Sequence, residues 1–225
     1  MAGTLYIVAT PIGNLGDITF RAVETLKSVD IVLSEDTRVT RVLLKKYDID
    51  TPTLSYHQHS SNDKVTEIFE LLEDGENLAL VTDAGTPGIS DPGNKLISDL
   101  RSQNSDLEII PIPGPSAVVT ALSVSGFPTD KFLFLGFPPH KNKRKKFFEE
   151  LAESNYTVAF YESSHRIKKA LKNLSEVLDE YVEVCVCREL TKKFESIYRG
   201  VISDIIEMDI SEKGEFVVII NKNKK

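Results

Sequence analysis

Nothing in the 225 residues approaches the ~18 consecutive apolar side chains that a membrane-spanning helix requires, so no helical span is expected. The start Met1-Ala2-Gly3-Thr4 lacks the basic region that opens a secretory leader, and the expected setting is the cytoplasm. Cysteine is nearly absent. The two that occur, Cys185 and Cys187, stand two apart in a strand-like run that puts both thiols on one face. They do not form a CxxC motif, and packing in a reducing compartment is the reading. His57 and His59 make an HxH pair, but no further Cys/His cluster completes a ligand set, so no metal is expected. Internal repeats are missing, and the only compositional bias is the lysine-rich stretch 222–225.

What is present is enough apolar side chain, 41% of residues, for one large core or two smaller ones. The net charge of −7 counts against a protein that coats itself in nucleic acid by bulk attraction. Its distribution is uneven. Residues 1–110 hold 9 Lys/Arg against 18 Asp/Glu, whereas residues 111–225 hold 18 against 16. Within the second part, Lys141, Lys143, Arg144, Lys145 and Lys146 place five cations in a stretch of six. Such a run is either a solvated helix start or a nucleic-acid contact.

The first half alternates short β-rich apolar runs with helical patterns, the signal for βαβ units and a mainly parallel sheet. Strands are predicted at 5–9, 31–34, 53–56, 78–82 and 107–111, with helices at 20–27, 39–46, 64–73 and 92–101. The helix 64–73 gathers Val65, Ile68, Phe69, Leu71 and Leu72 on one face and therefore covers a sheet. At Pro111-Ile112-Pro113-Gly114-Pro115, three prolines fix φ and remove backbone donors, which makes a stiff joint. It divides the chain into two α/β domains, 1–112 and 113–225. The second reads as helix 115–123, strand 132–136, basic helix 143–152, strand 157–161, helix 165–174, strand 182–188, strand 196–200, helix 201–208 and strand 215–220, a succession that allows a mixed sheet.

Three loops follow predicted strands, and in an open α/β sheet that edge is where ligands bind. The first is Thr10-Pro11-Ile12-Gly13-Asn14-Leu15-Gly16-Asp17, where glycines permit close backbone approach and Asp17 can cap the next helix. It does not match GxGxxG. The second runs from Asp83 to Gly93 with three glycines and two prolines, more than a plain turn needs, so a ligand cradle is favoured. Asp91 as N-cap with Pro92 in the first helical position accounts for its end. The third, Pro113-Gly114-Pro115-Ser116-Ala117, is a cradle or a purely structural joint.

These three loops occur in order with Ser34-Glu35-Asp36-Thr37-Arg38, Phe160-Tyr161-Glu162-Ser163-Ser164-His165-Arg166 and Cys187-Arg188-Glu189-Leu190-Thr191-Lys192. Together they resemble the small-subunit ribosomal RNA (cytidine) 2′-O-methyltransferase branch of the tetrapyrrole methylases, from Thr4 to about Ile220. The resemblance implies two α/β domains with S-adenosylmethionine in the cleft between them, and a homodimer. It puts cofactor contacts on Pro11, Asp83, Ala84, Gly85, Ile89, Ser116, Ala117, Tyr161 and Leu190. For Tyr161 the alternative is a core aromatic ending a strand. The wider superfamily has a glycine-richer first loop; here Pro11 and Asn14 depart from it, favouring ribosomal RNA or the small subunit over a tetrapyrrole as substrate.

A ribose 2′-hydroxyl is a poor nucleophile at neutral pH, so a general base would help. Glu35, Asp36 and Glu189 follow predicted strands and are the candidates, each with a structural alternative as helix cap or surface ion pair. Arg38, Lys143, Arg144, Lys145, Arg166 and Arg188 are candidate RNA contacts, while Phe147 and Phe148 are expected to pack inward. Two other readings stay open: a methylase of the same superfamily acting on a tetrapyrrole or a modified protein side chain, and a non-catalytic RNA or assembly factor.

Overall fold

The computed structural model describes residues 2–57, 60–91 and 93–222. The chain divides after Ser116 into two compact units, each with its own sheet and its own core.

In the first unit, strands β1 (Leu5–Val8), β2 (Ile31–Ser34), β3 (Thr53–Ser55), β4 (Leu78–Leu80) and β5 (Ile109–Ile112) form a wholly parallel sheet in the order β3-β2-β4-β1-β5. Its inner strands read as unbroken apolar runs because both faces are covered. Helices α1 (Phe20–Ser28) and α2 (Thr37–Lys46) lie on one face, where Val8, Val32, Ala79 and Val81 meet Ala22, Leu26 and Leu44. Helices α3 (Asn62–Glu73) and α4 (Asn94–Gln103) cover the other, packing Val65, Ile68, Leu72, Leu96 and Leu100 on Leu5, Leu33, Leu78 and Leu80. Consecutive strand residues thus serve opposite cores. Strand β4 is flanked by β1 and β2, whose following helices take one face while that of β4 takes the other. The loops after these three strands consequently open a crevice at the carboxyl edge.

Two helix starts differ from the sequence reading. Helix α1 is capped by Thr19, whose hydroxyl accepts from the Ala22 amide at 3.1 Å, and not by Asp17. Helix α4 begins at Asn94 behind Gly93, which sits at φ 147°, so Asp91 lies outside the helix and does not cap it. Pro92 and His59 lie outside the described residues.

The second unit carries β6 (Phe132–Phe134), β7 (Thr157–Glu162), β8 (Glu183–Arg188), β9 (Ser196–Val201) and β10 (Phe216–Ile220), in the order β6-β7-β10-β8-β9. Among the described residues only β6 and β7 are parallel neighbours; β10 runs antiparallel to both β7 and β8. Helices α6 (Arg144–Glu153), α7 (Ile167–Ser175) and α8 (Ile202–Ile205) pack Phe148, Leu151, Leu171, Leu174 and Ile205 on Phe160, Val184, Val186 and Val218. Helix α8 is a single turn where the sequence suggested a longer one. Helix α5 (Ala117–Ser125) packs against β7 and β10. Cys185 and Cys187, both fully buried, place their sulfurs 3.8 Å apart on the face of β8 opposite Val184 and Val186.

Candidate functional site

The first two loops of unit one are joined by backbone. Thr10 and Gly85 exchange amide hydrogen bonds of 2.9 and 3.1 Å, and the buried Thr10 hydroxyl donates to the Thr82 carbonyl at 3.0 Å. The Thr86 hydroxyl donates to the Pro115 carbonyl at 3.2 Å, tying in the third loop. Gly85 stands at φ +87°, a conformation that side-chain-bearing residues rarely adopt. At Gly114 a Cβ would lie 3.1 Å from that of Ala9. Pro11, Ala84, Gly85, Ile89 and Ser116 therefore share one edge, with Asp83 exposed beside them and Ile89 showing 45% of its surface. Such a cradle fits a nucleoside carrying an amino-acid arm: bare backbone for close approach, a carboxylate for hydroxyls or an ammonium, and an apolar side chain for a purine.

Next to the cradle lies a cavity of about 610 Å³ lined by Glu35, Asp36, Arg38, Ser55, His57 and Asp83. Asp36 is the N-cap of α2: Oδ1 accepts from the Arg38 amide at 2.8 Å, and the Arg38 guanidinium grips the same carboxylate at 2.6–3.2 Å. Those bonds hold it down to about 2. Asp83 Oδ1 accepts from the Asp36 amide at 3.2 Å. Glu35 is different. Burial pushes its carboxyl above the usual range, the Asp83 and Asp36 charges add to this, and His57 opposes it. Asp91, read from sequence as a cap, is pushed up to about 6 by burial, with Thr82 acting against and the Glu35 and Asp83 charges reinforcing.

In unit two the functional candidates gather at the carboxyl ends of β7 and β8, which the register places on either side of Phe216. The Tyr161 hydroxyl accepts from the Val118 amide at 3.2 Å, meeting a donor of the first turn of α5 that the helix itself leaves unpaired, and so fixing Ala117 beside it. Its ring stands edge-on to Phe134 and Phe137, with centroids 4.8 and 5.4 Å away. Leu190 is flanked by two residues at positive φ, Glu189 at 51° and Thr191 at 67°. The Glu189 carboxylate braces this turn by accepting from the Glu215 amide at 2.9 Å and from Lys192 Nζ at 3.1 Å. Burial works to raise Glu189, but those bonds hold it below its ordinary value. Arg188 donates to the carbonyls of Lys213 and Phe194 at 2.7 and 2.9 Å.

The basic run divides into buried and exposed members. Arg144 is only 6% exposed, and its guanidinium donates to Asn173, to the Pro139 carbonyl and to Glu162, so it does not reach the surface as the sequence reading had it. Arg166 is also engaged, with Glu162 at 3.2 Å and the Pro138 carbonyl at 2.5 Å. Lys143 stands at the head of α6 in the left-handed region, φ 65°. In the sequence Glu162 stands out only within a longer motif and Asp91 only as a helix cap. Only their burial distinguishes them, and burial of a lone carboxylate has no local signature. Among the described residues no group of three or more His, Cys, Asp or Glu is arranged to hold a metal ion.

Residues 4–206 match the family described as Tetrapyrrole (Corrin/Porphyrin) Methylases. The chain is 46% identical over 221 residues to a protein of Synechocystis sp. named ribosomal RNA small subunit methyltransferase I, covering 97% of this chain and 78% of that one. Proteins of the same name from Bacillus subtilis and Thermotoga maritima are 44% and 42% identical, again over 97% of this chain and over 75% and 98% of theirs. Among solved structures, the methyltransferase CobJ superposes with a TM-score of 0.72 at 16% identity, covering 98% of this chain and 94% of that one. Cobalt precorrin-4 methyltransferase superposes with a TM-score of 0.69 at 21% identity, covering 99% and 96%.

Proposed function

Because the chain belongs to the Tetrapyrrole (Corrin/Porphyrin) Methylases, we propose that it transfers a methyl group from S-adenosylmethionine to the 2′-hydroxyl of a cytidine ribose in small-subunit ribosomal RNA. The observation that carries this reading is the identity of 42–46% across 97% of the chain to proteins named for that class of RNA. The corrinoid enzymes share the fold at far lower identity and do not draw the substrate towards a tetrapyrrole.

In this reading the domains are 1–112 and 113–225, and the cofactor is held by Pro11, Asp83, Ala84, Gly85, Ile89 and Ser116 in the first loops and by Ala117, Tyr161 and Leu190 in the second domain. When bound, it supplies the methyl group for an in-line displacement, so the protein's task is to align donor and acceptor and exclude water. Glu35 takes the proton from the attacking hydroxyl: its carboxylate lines the cavity beside the cradle, and burial makes it a better acceptor than an ordinary glutamate. Asp36 and Glu189 are spent on α2 and on the turn at Leu190. Arg38, Lys143, Lys145 and Arg188 contact RNA, while Arg144 and Arg166 serve from beneath. The enzyme acts in the cytoplasm as a homodimer; Phe20, 92% exposed, and Val42, 60% exposed, are apolar side chains that suit a covered face.

The test is to incubate labelled S-adenosylmethionine with undermethylated small ribosomal subunits and map the product. A methyl group on a cytidine ribose is expected. One on a base, or no incorporation, removes the proposal.

A further inference from the structure

Because β6 and β7 run parallel, the helices that follow them start at the same edge of the second sheet. Helix α6 opens with Arg144, Lys145 and Lys146 and α7 includes Lys168 and Lys169 in its opening turn, and neither first turn holds an acid. Between the helices lies a cavity of about 710 Å³ whose lining sets Lys141, Arg144, Lys145 and Lys169 against Glu149 and Glu176. Lys145 pairs with Glu149, and Lys168 with Glu212, whereas Lys141, Lys143 and Lys169 make no ion pair among the described residues.

Arg144 also ties this lining to a charged cluster behind it. Glu162, 1% exposed, is shared by two guanidiniums: Oε2 accepts from Arg144 at 3.3 and 3.4 Å, and Oε1 pairs with Arg166 at 3.2 Å. One carboxylate against two cations leaves a positive charge below the surface, where screening by water and salt is weak. The same two arginines donate to the carbonyls of Pro139 and Pro138, and Arg166 stands 3.4 Å from His140, so they also fix the loop that forms the cavity's rim. A positive excess behind Lys141 and Lys169, neither of them in an ion pair among the described residues, is costly unless an anion shares it.

We propose that the cavity between α6 and α7 seats a phosphodiester of the RNA strand, with Lys141 and Lys169 as its direct contacts and Glu162 as the positioning residue that holds Arg144 and Arg166 beneath it. This rests on the RNA reading above and extends it to a named surface. The occupant is a nucleic-acid strand because the lining sets four cations, Lys141, Arg144, Lys145 and Lys169, against two carboxylates, Glu149 and Glu176, and because the acidic first unit leaves this edge as the basic one.

The experiment is fluorescence anisotropy with a labelled single-stranded RNA 20-mer across a range of salt. Lys141→Gln/Lys169→Gln is expected to weaken binding roughly ten-fold and to reduce the slope of log K against log salt by about 0.7, the value for one phosphate contact on a single strand. Lys45→Gln/Lys46→Gln, the same charge change on α2, is expected to bind as the unaltered protein does. Equal weakening by both pairs, or none by the first, overturns the proposal. So does a Lys141/Lys169 dependence of binding to phosphatidylserine vesicles that RNA binding does not share. Glu162→Gln makes the cluster behind the cavity more positive, so a purely electrostatic role would tighten RNA binding. The positioning role predicts weaker binding, partly restored in Glu162→Asp, with S-adenosylmethionine affinity by calorimetry unchanged. If the unaltered protein binds RNA through the cavity but transfers no methyl group to it, the catalytic reading fails and this one stands. If the lysine pair is replaced and methyl transfer at low RNA concentration is undiminished, the reverse holds.

Discussion

Two carboxyls of the first unit differ in what their environments ask of them. Glu35 lines the cavity beside the cradle with its pKa raised by burial, so Glu35→Gln is expected to lower kcat by about 100-fold or more, the range for loss of a general base. S-adenosylmethionine affinity should hold, as checked by titration calorimetry. Asp91 is pushed up to about 6. A folded-state value above that of the unfolded chain means the native protein binds the proton more tightly, so stability from this group is present below about pH 4 and is lost as the pH rises through about 6. Asp91→Asn is therefore expected to stabilise the protein at pH 8. Discounted for partial exposure, the gain is about 1 kcal/mol, or roughly 2–4 °C in Tm. It should vanish at pH 4, and thermal melts at the two pH values read the difference.

At the scale of elements, strands and helices were legible because their apolar periods were clean. Val65, Ile68 and Leu72 announced the buried face of α3, and the doubly covered strands β1, β2 and β4 announced a parallel sheet. Helix α4 was misread at its start, since Asp91 has the right identity for a cap and only the fold decides that Gly93 turns the chain instead. The basic run was misread for a related reason. Arg144 is drawn inside by Glu162, which arrives from β7, and no window around residue 144 contains that partner. The cradle, by contrast, announced itself through glycines: Gly85 at φ +87° is required by the bridge to Thr10. Gly85→Ala is expected to cost ~1–2 kcal/mol of stability and to weaken S-adenosylmethionine binding, measured by denaturant melts and calorimetry. Glu162→Ala strands the buried Arg144 and the half-buried Arg166 and should cost ~3–5 kcal/mol, far more than loss of the exposed Lys146–Glu150 pair, worth ~0.2–1 kcal/mol.

At the scale of the whole molecule, the two-unit α/β organisation was readable from the proline joint and from the switch in strand pattern that follows it. The chemistry was readable only because six motifs occur in order along the chain. Loading the protein with S-adenosylmethionine at about 100 times Kd is expected to add ~2.7 kcal/mol to its unfolding free energy. A thermal scan that shows no shift would contradict cofactor binding.

The position of β10 sets a timetable. Strands β7 and β8 hydrogen-bond to β10 and not to each other, so the second sheet has a gap at its centre until Phe216–Ile220 enters it. The first sheet is complete once Ile112 has been made. At about 5–20 residues per second on the ribosome, the second unit waits some 5–20 s after the first, its apolar strand faces held open for the insertion of a late-arriving strand. A chain halted before Phe216 should protect the amides of β1 to β5 from exchange and leave those of β7 and β8 open. The protein thus emerges as a finished half carrying an unfinished one, and the unfinished half is the one with strand edges open to aggregation.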